Sequence, residues 1–395
     1  MDLQKLPSLL YMGDVPVEST LAGSALLYRL MQEYPVKHLY IVEADILPAH
    51  PDKRLCNVDY YSFPFGVKRL LNSRFTALYT SYLTLTATWR SFQLNKTIST
   101  FQPDAILTVA HGFSWLTAAA VAKKYKLPLH LIIHDDWASY IPVLPGLRDL
   151  AIQKFGQVYR QAQSRLCVSP YMEEFYQRQY GVAGEVLYPS RAASVPEFSH
   201  PPARVRHHQS SLTFVYAGSV NSPSYAQSLV NLASALEPFG HRLMVYSSLT
   251  DTAVQQIGLN KPNVTIRSLI PSHQLIETLR NEADVLFVPM SFEEGDRPNM
   301  EMSFPSKLTD YTIAGVPLLI WGPAYCSAIR WAKDNPGVAE VVEESNLETL
   351  SSAIERLSKD PKYRQHLAQT ALETGSMYFS YEKGIETFYR AIAKQ

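Results

Sequence analysis

The sequence predicts an α/β protein made of two doubly wound parallel-sheet domains, and three observations carry that expectation. Short apolar runs alternate with longer amphipathic segments through both halves of the chain. At 395 residues, the chain exceeds the roughly 250–300 residues at which a single core stops growing. Between the halves lies a stretch, 189–211, that carries Pro189, Pro196, Pro201 and Pro202. Repeated strand, helix, strand order favours buried parallel strands with helices on both faces.

In the first half, the apolar runs at 39–42, 105–109, 129–133, 165–168 and 185–188 read as strands, with helices over 24–33, 115–125 and 147–162. Residues 189–211 read as a linker, because adjacent prolines and few large apolar side chains suit neither a helix nor a central strand. A second series follows, with strands at 212–217, 242–246, 264–267, 284–289 and 316–321 and helices at 225–236, 251–257, 272–282 and 306–314. Ser272 reads as an N-cap. Gly315 suits the residue just past a helix end, since glycine accepts positive φ. Residues 381–393 read as an amphipathic helix. The expected domains span 1–195 and 205–377. Two such sheets would face a cleft at their strand C-terminal ends, where open α/β sheets bind ligands.

Composition narrows the function classes. Lys plus Arg and Asp plus Glu each number 36, so the chain is neither a basic nucleic-acid binder nor an acidic-tail protein. Cys56, Cys167 and Cys326 are far apart and form no CxxC pair, which points to buried, reduced thiols. Residues 1–12 are too short for a signal peptide, and no run approaches the ~18 apolar residues of a spanning helix. The expectation is a cytoplasmic protein, compatible with peripheral attachment at the inner face of a membrane. The stretch 62–94 is rich in Arg, Tyr, Phe and Leu and includes Lys68, Arg69, Arg74 and Arg90. Its plainer reading is core helices with exposed Arg and Lys; the other is a cationic amphipathic surface for an anionic interface.

The chemistry concentrates in Phe304-Pro305-Ser306-Lys307-Leu308-Thr309-Asp310-Tyr311-Thr312-Ile313-Ala314-Gly315-Val316-Pro317. Pro305 sets the chain before a helix, and Ser306 and Lys307 fall at its cap and first turn. Free N–H groups and the positive helix end there favour an anion, and Lys307 adds a mobile cation. Asp310 follows one turn later on the same side, placed to accept hydrogen bonds from a vicinal diol such as ribose. The combination suits a nucleoside diphosphate; an ordinary Ser-capped helix with an i,i+3 ion pair is the plain alternative.

This segment resembles the FPSK-x-x-E-Y-x-x-A-G-x-P stretch of family 4 glycosyltransferases, and Ala283-Asp284-Val285-Leu286-Phe287-Val288-Pro289 resembles that family's A-D-V-x-x-x-P strand. The resemblance implies the GT-B fold, two Rossmann-like domains facing a cleft, with a C-terminal helix, 378–395, returning to the first. It implies an acceptor-binding first domain and a nucleotide-sugar-binding second one. Phe304, Ser306 and Lys307 would then line the donor, and Asp310, where the family usually has Glu, would hold the ribose. The implied reaction is transfer from a nucleotide diphosphate sugar to a sugar, lipid or other hydroxyl acceptor, as in polysaccharide or glycolipid synthesis. Configuration would be retained, with neither metal nor other cofactor.

Departures from the family pattern mark the less settled positions. Eight residues before Asp310, where relatives carry Glu, stands Met302; Glu294 in the loop 291–303 is the expected substitute near the donor sugar. The Arg and Lys that often follow the second domain's first strand are absent from Tyr216-Ala217-Gly218-Ser219-Val220-Asn221-Ser222, so Gly218 and Ser219 are expected to offer backbone N–H groups to phosphate. Leu131-Ile132-Ile133-His134-Asp135-Asp136-Trp137 resembles the family's H-D-x-W site, which makes His134 a cleft residue touching the transferring sugar. His111 reads as an acceptor contact or a structural cap. Gly13 and Gly23 in the first βα loop are candidates for close approach to a ligand, although GxGxxG is missing. No GxSxG, Walker loop or HExxH occurs. Two rivals stand: a nucleotide-sugar epimerase of the same fold, and a non-catalytic nucleotide-sugar-binding subunit.

Overall fold

Seven strands form the first sheet: β1 (Leu9–Gly13), β2 (Leu39–Glu43), β3 (Asp59–Ser62), β4 (Ala105–Val109), β5 (Leu129–Ile133), β6 (Ser164–Cys167) and β7 (Glu185–Val186). The computed structural model describes residues 6–19, 22–44, 51–63, 67–137, 141–206, 211–220 and 222–393. All pairings are parallel, in the order β3-β2-β1-β4-β5-β6-β7. Every residue of β1, β4 and β5 is buried, as a parallel strand covered on both faces requires. The edge strand β3 is mostly exposed.

The second sheet holds β8 (Thr213–Ala217), β9 (Arg242–Tyr246), β10 (Val264–Arg267), β11 (Val285–Pro289), β12 (Leu318–Trp321) and β13 (Glu340–Val342), again all parallel, in the order β10-β9-β8-β11-β12-β13. Both sheets therefore reverse winding direction beside their first strand, between β1 and β4 and between β8 and β11. Those reversals open a crevice at the strand C-terminal ends.

The chain divides into two units, Met1–Ser190 with Tyr381–Gln395, and Arg191–Ser380. In the first unit the helix Tyr381–Ile392 is seated by its aromatic face, with Tyr389 edge-on to Tyr34 at 5.8 Å. In the second unit, residues 191–206 are not a free linker. Val195 and Phe198 pack on Ile276, Ile313 and Leu372, and Arg280 lies 3.7 Å above the Phe198 ring. Residues 207–210 of the expected linker lie outside the described residues.

Other local expectations shift. Ser272 is the first helical residue behind Pro271 and makes no cap. Cys56 is exposed, while Cys167 and Cys326 are buried. Asp284 of the A-D-V strand is buried; it accepts from the Thr213 N–H at 2.8 Å and from Arg204 at 3.0 Å. Its role is to hold β8 and β11 in register. Among the described residues no helix is long and apolar enough to cross a membrane.

Candidate active site

In the second unit, Lys307 begins the helix Lys307–Ala314, which Gly315 closes at φ 60°. Buried Arg191 fastens the back of that helix, donating to the Thr309 carbonyl at 3.3 Å and to Thr312 Oγ1 at 3.3 Å. Tyr311 ties its front to the end of β8, accepting from the Ala217 N–H at 2.7 Å. The Lys307 ammonium therefore lies 4.9 Å from the centre of the Tyr216 ring. It rests against Gly218, whose φ is +143° and where a Cβ would stand 2.6 Å from Nζ. Burial pulls the ammonium down from its ordinary 10.5 to about 8, with the Asp310 carboxylate pulling the other way. A desolvated cation is suited to developing negative charge.

The Gly218 N–H donates to the Tyr246 carbonyl at 2.8 Å, so it extends the sheet and does not face a phosphate. Gly218 matters because it lacks a side chain. Ser219 is exposed, and its carbonyl accepts from Tyr216 Oη at 2.6 Å. The Ser306 hydroxyl makes no cap, and the Leu308 and Thr309 N–H groups are taken by the Pro305 and Ser306 carbonyls. The helix start thus presents fewer free donors than expected, and the charge of Lys307 carries more of the site.

In the first unit, His134 follows β5 and His111 follows β4, and their rings lie 5.5 Å apart. His134 Nε2 is 3.6 Å from Asp135 Oδ2, and Gly23 leaves space 3.3 Å from His134 Cε1. Burial holds His134 toward its neutral form, against Asp135 and with His111; a neutral imidazole both donates and accepts toward a sugar hydroxyl. Asp14, at the end of β1, is buried and accepts from the Phe113 N–H, the Ser114 N–H and Ser114 Oγ, each at 2.7 Å. Burial nevertheless raises its pKa. Gly112, at φ +55°, has no Cβ to strike that carboxylate. Its carbonyl accepts from the Trp137 indole at 2.6 Å. His111, His134 and Asp135 offer ligand atoms within 4.8 Å of one another and are, among the described residues, the group that could hold a metal ion.

Residues 53–189 match Glycosyltransferase Family 4. The match lies in the first unit, whereas the motif that carries the resemblance, 304–317, lies in the second. No curated protein matches the chain in sequence. Among solved structures, the fold is similar to Anabaena HepE in complex with UDP and glucose, at 12% identity over 98% of this chain and 100% of that one, with a TM-score of 0.67. It is similar to sucrose-phosphate synthase from Thermosynechococcus elongatus, at 15% identity over 96% of each chain and a TM-score of 0.65. A glycosyltransferase from Rickettsia africae aligns over 98% of each chain at 11% identity and a TM-score of 0.64. At such identities the likeness establishes the fold, which is the GT-B arrangement of two parallel-sheet domains.

Beside that family 4 match, three expected site residues take other places. Gly13 is buried in β1 beneath the Tyr11 hydroxyl, which donates to the Val15 carbonyl at 2.6 Å; the Tyr11 side chain fills the place that a Cβ would take. The Phe304 ring is buried edge-on to Trp331 at 5.9 Å and lies 5.6 Å from Phe379, so it anchors the segment in the core. Glu294 is largely exposed and pairs with Arg297 at 3.2 Å. The loop carboxylate drawn inward is Asp296, which accepts from Ser291 Oγ at 2.7 Å, just past β11, and from Ser224 Oγ at 3.1 Å, in the first turn of the helix Pro223–Leu236. Met302 is buried. Tyr216, Asp296 and Asp14, which the sequence motifs did not single out, stand beside these candidate positions. Tyr216 and Asp14 lie at or just beyond a strand C-terminal end, the signal that could have found them, and Asp296 lies in the loop that follows β11.

Proposed function

We propose that the protein transfers a sugar from a nucleotide diphosphate donor to a hydroxyl acceptor. The second unit holds the nucleotide and the first holds the acceptor. The observation that carries this reading is the Lys307 ammonium, seated over Tyr216 in the space Gly218 leaves, with Asp310 one turn beyond. Such a cation, desolvated before the donor arrives, is stabilised by a diphosphate more than by water. Asp310 then takes the ribose diol. HepE, similar in fold, is a complex with UDP-glucose in another of its structures, which supports a UDP-type donor.

As the glycosidic bond breaks, negative charge grows on the diphosphate and Lys307 meets it. The neutral His134 imidazole orients the sugar or the attacking hydroxyl. The departing phosphate can accept the acceptor's proton, which requires no side-chain base and leaves the anomeric configuration retained. The transfer is proposed to be metal-independent and to serve polysaccharide or glycolipid synthesis. A thermal-shift screen of UDP-, GDP- and ADP-sugars tests the donor site, since a ligand that binds only the folded state raises Tm. Transfer with the stabilising donor is then measured for the native protein and for Lys307→Ala. Equal turnover in both refutes the role of Lys307, and conversion of the donor without acceptor assigns the protein to the epimerases.

A further inference from the structure

The helices Thr76–Leu85 and Ala87–Gln93 in the first unit bury a mostly polar face. Their buried positions are Thr80, Ser81, Leu83 and Thr84 in the first and Ala87, Arg90 and Ser91 in the second. The buried polar groups are satisfied locally: Ser81 Oγ donates to the Ala77 carbonyl at 2.7 Å, and Arg90 donates to the Leu83 carbonyl at 2.8 Å and to Thr117 at 3.2 Å. Helical bonding continues through Thr86, whose N–H donates to the Tyr82 carbonyl at 3.0 Å while its own carbonyl accepts from Arg90 at 3.1 Å. The outer face carries Leu78, Tyr82, Leu85, Trp89 and Phe92, each 50–59% exposed. Their alternating spacing of four and three residues makes one stripe about 20 Å long. Single exposed apolar residues are ordinary, but a row of five bulky ones marks an interaction surface.

Charge says what covers it. In a chain with no net charge, residues 60–103 contain Lys68, Arg69, Arg74 and Lys96 besides the buried Arg90, and no Asp or Glu. Arg74 lies 4.8 Å from the Phe75 ring and Lys124, from the neighbouring helix, 3.8 Å from the Phe92 ring. Lys154 of the flanking helix Pro145–Gln161 donates to the Thr84 carbonyl at 2.9 Å. That helix sets Arg148, Lys154 and Arg160 against one carboxylate, Asp149. A second copy of this chain would bring these cations together, which like-charge repulsion disfavours. Aromatic and leucine side chains inside a cationic rim match the boundary between headgroups and acyl chains of an anionic bilayer.

We infer that the stripe Leu78–Tyr82–Leu85–Trp89–Phe92 docks the protein on anionic lipid membranes as a peripheral, non-spanning surface. This stands whether or not sugar transfer is the activity. Ser81 Oγ of the same helix accepts from the Leu144 N–H at 3.0 Å; Leu144 belongs to the segment that follows His134.

Trp89 reports the contact directly, because the other four of the five tryptophans, Trp115, Trp137, Trp321 and Trp331, are buried. The full-length protein should co-sediment with phosphatidylcholine vesicles containing about one third phosphatidylglycerol, and its tryptophan emission should shift to the blue. Salt should weaken the binding. Replacing Leu78, Leu85 and Phe92 with serine should cut the bound fraction at least about ten-fold and leave the thermal transition in place, since these side chains are exposed. No sedimentation at low salt, equal binding to phosphatidylcholine alone, or a vesicle-independent dimer that shields Trp89 would each overturn the inference.

Discussion

Lys307→Met is expected to stabilise the ligand-free protein while weakening the donor complex. Methionine keeps the length and the apolar stem of lysine but removes the charge. Burial lowers the ammonium from 10.5 to about 8, which at about 1.4 kcal/mol per unit puts a ceiling of about 3 kcal/mol on the cost of keeping it charged in the fold. The residue is partly exposed and its cation–π contact with Tyr216 is lost too, so a net gain of about 1 kcal/mol is the working value. For a unit of this size, that is a rise of about 2–4 °C in Tm by calorimetry. The sign depends on pH. The native group is depressed, so its cost is full below about pH 8 and fades as pH rises toward 10.5, where the unfolded lysine also loses its proton. The gain should shrink in the same window. In the complex, loss of a charge-assisted contact of about 1.5–3 kcal/mol should raise the donor Kd about 10- to 150-fold. A variant that melts lower at pH 7 refutes the buried-cation argument, and unchanged donor affinity by calorimetric titration refutes the phosphate role.

Four further outcomes are expected. Donor affinity of the native protein should fall as pH rises through about 8, and binding below that pH should take up little proton while binding above it takes up more; affinity flat from pH 7 to 9 would contradict the Lys307 assignment. Glu294→Gln should leave donor affinity unchanged, whereas Asp296→Asn, which loosens the Ser224 and Ser291 hydroxyls, should weaken it several-fold; the reverse order would restore Glu294 to the site. Asp14→Ala leaves the Phe113 and Ser114 N–H groups without their acceptor and should destabilise the first unit by about 1–3 kcal/mol, read by hydrogen exchange of the helix Ser114–Tyr125. Dialysis against EDTA should not change the transfer rate; a loss restored by zinc would make His111, His134 and Asp135 a metal site.

How far the fold could be read depends on where each segment is buried. The strands 105–109, 129–133 and 242–246 match the structure at both ends, because inner parallel strands write apolar runs into the sequence. The edge strand Asp59–Ser62, mostly exposed, has no such run and was missed. The helices of 68–101 defeated the usual reading for the opposite reason. In 76–93 most large apolar residues face outward and Thr80, Ser81, Thr84, Arg90 and Ser91 inward, so the plain assignment of core helices with exposed cations put Arg90 on the wrong side. Pro196 and its neighbours looked like a linker because prolines exclude regular structure; nothing local records that Val195 and Phe198 find a cluster of three buried side chains to cover.

The sequence alone determined the α/β class, the position of the helix that begins at Lys307, its closure at Gly315 and the placing of His134 at a strand end. These are local properties, set by periodicity, capping and backbone strain. Tertiary structure alone decided that Gly218 serves Lys307 by having no side chain, that Phe304 and Gly13 belong to the core, and that Asp296 turns inward where Glu294 turns out. It also decided that the Lys307 ammonium is desolvated and that five apolar side chains of one helical stripe are left uncovered. Desolvation, close approach and exposure depend on which distant segments arrive at a position, and no local pattern of residues carries that information.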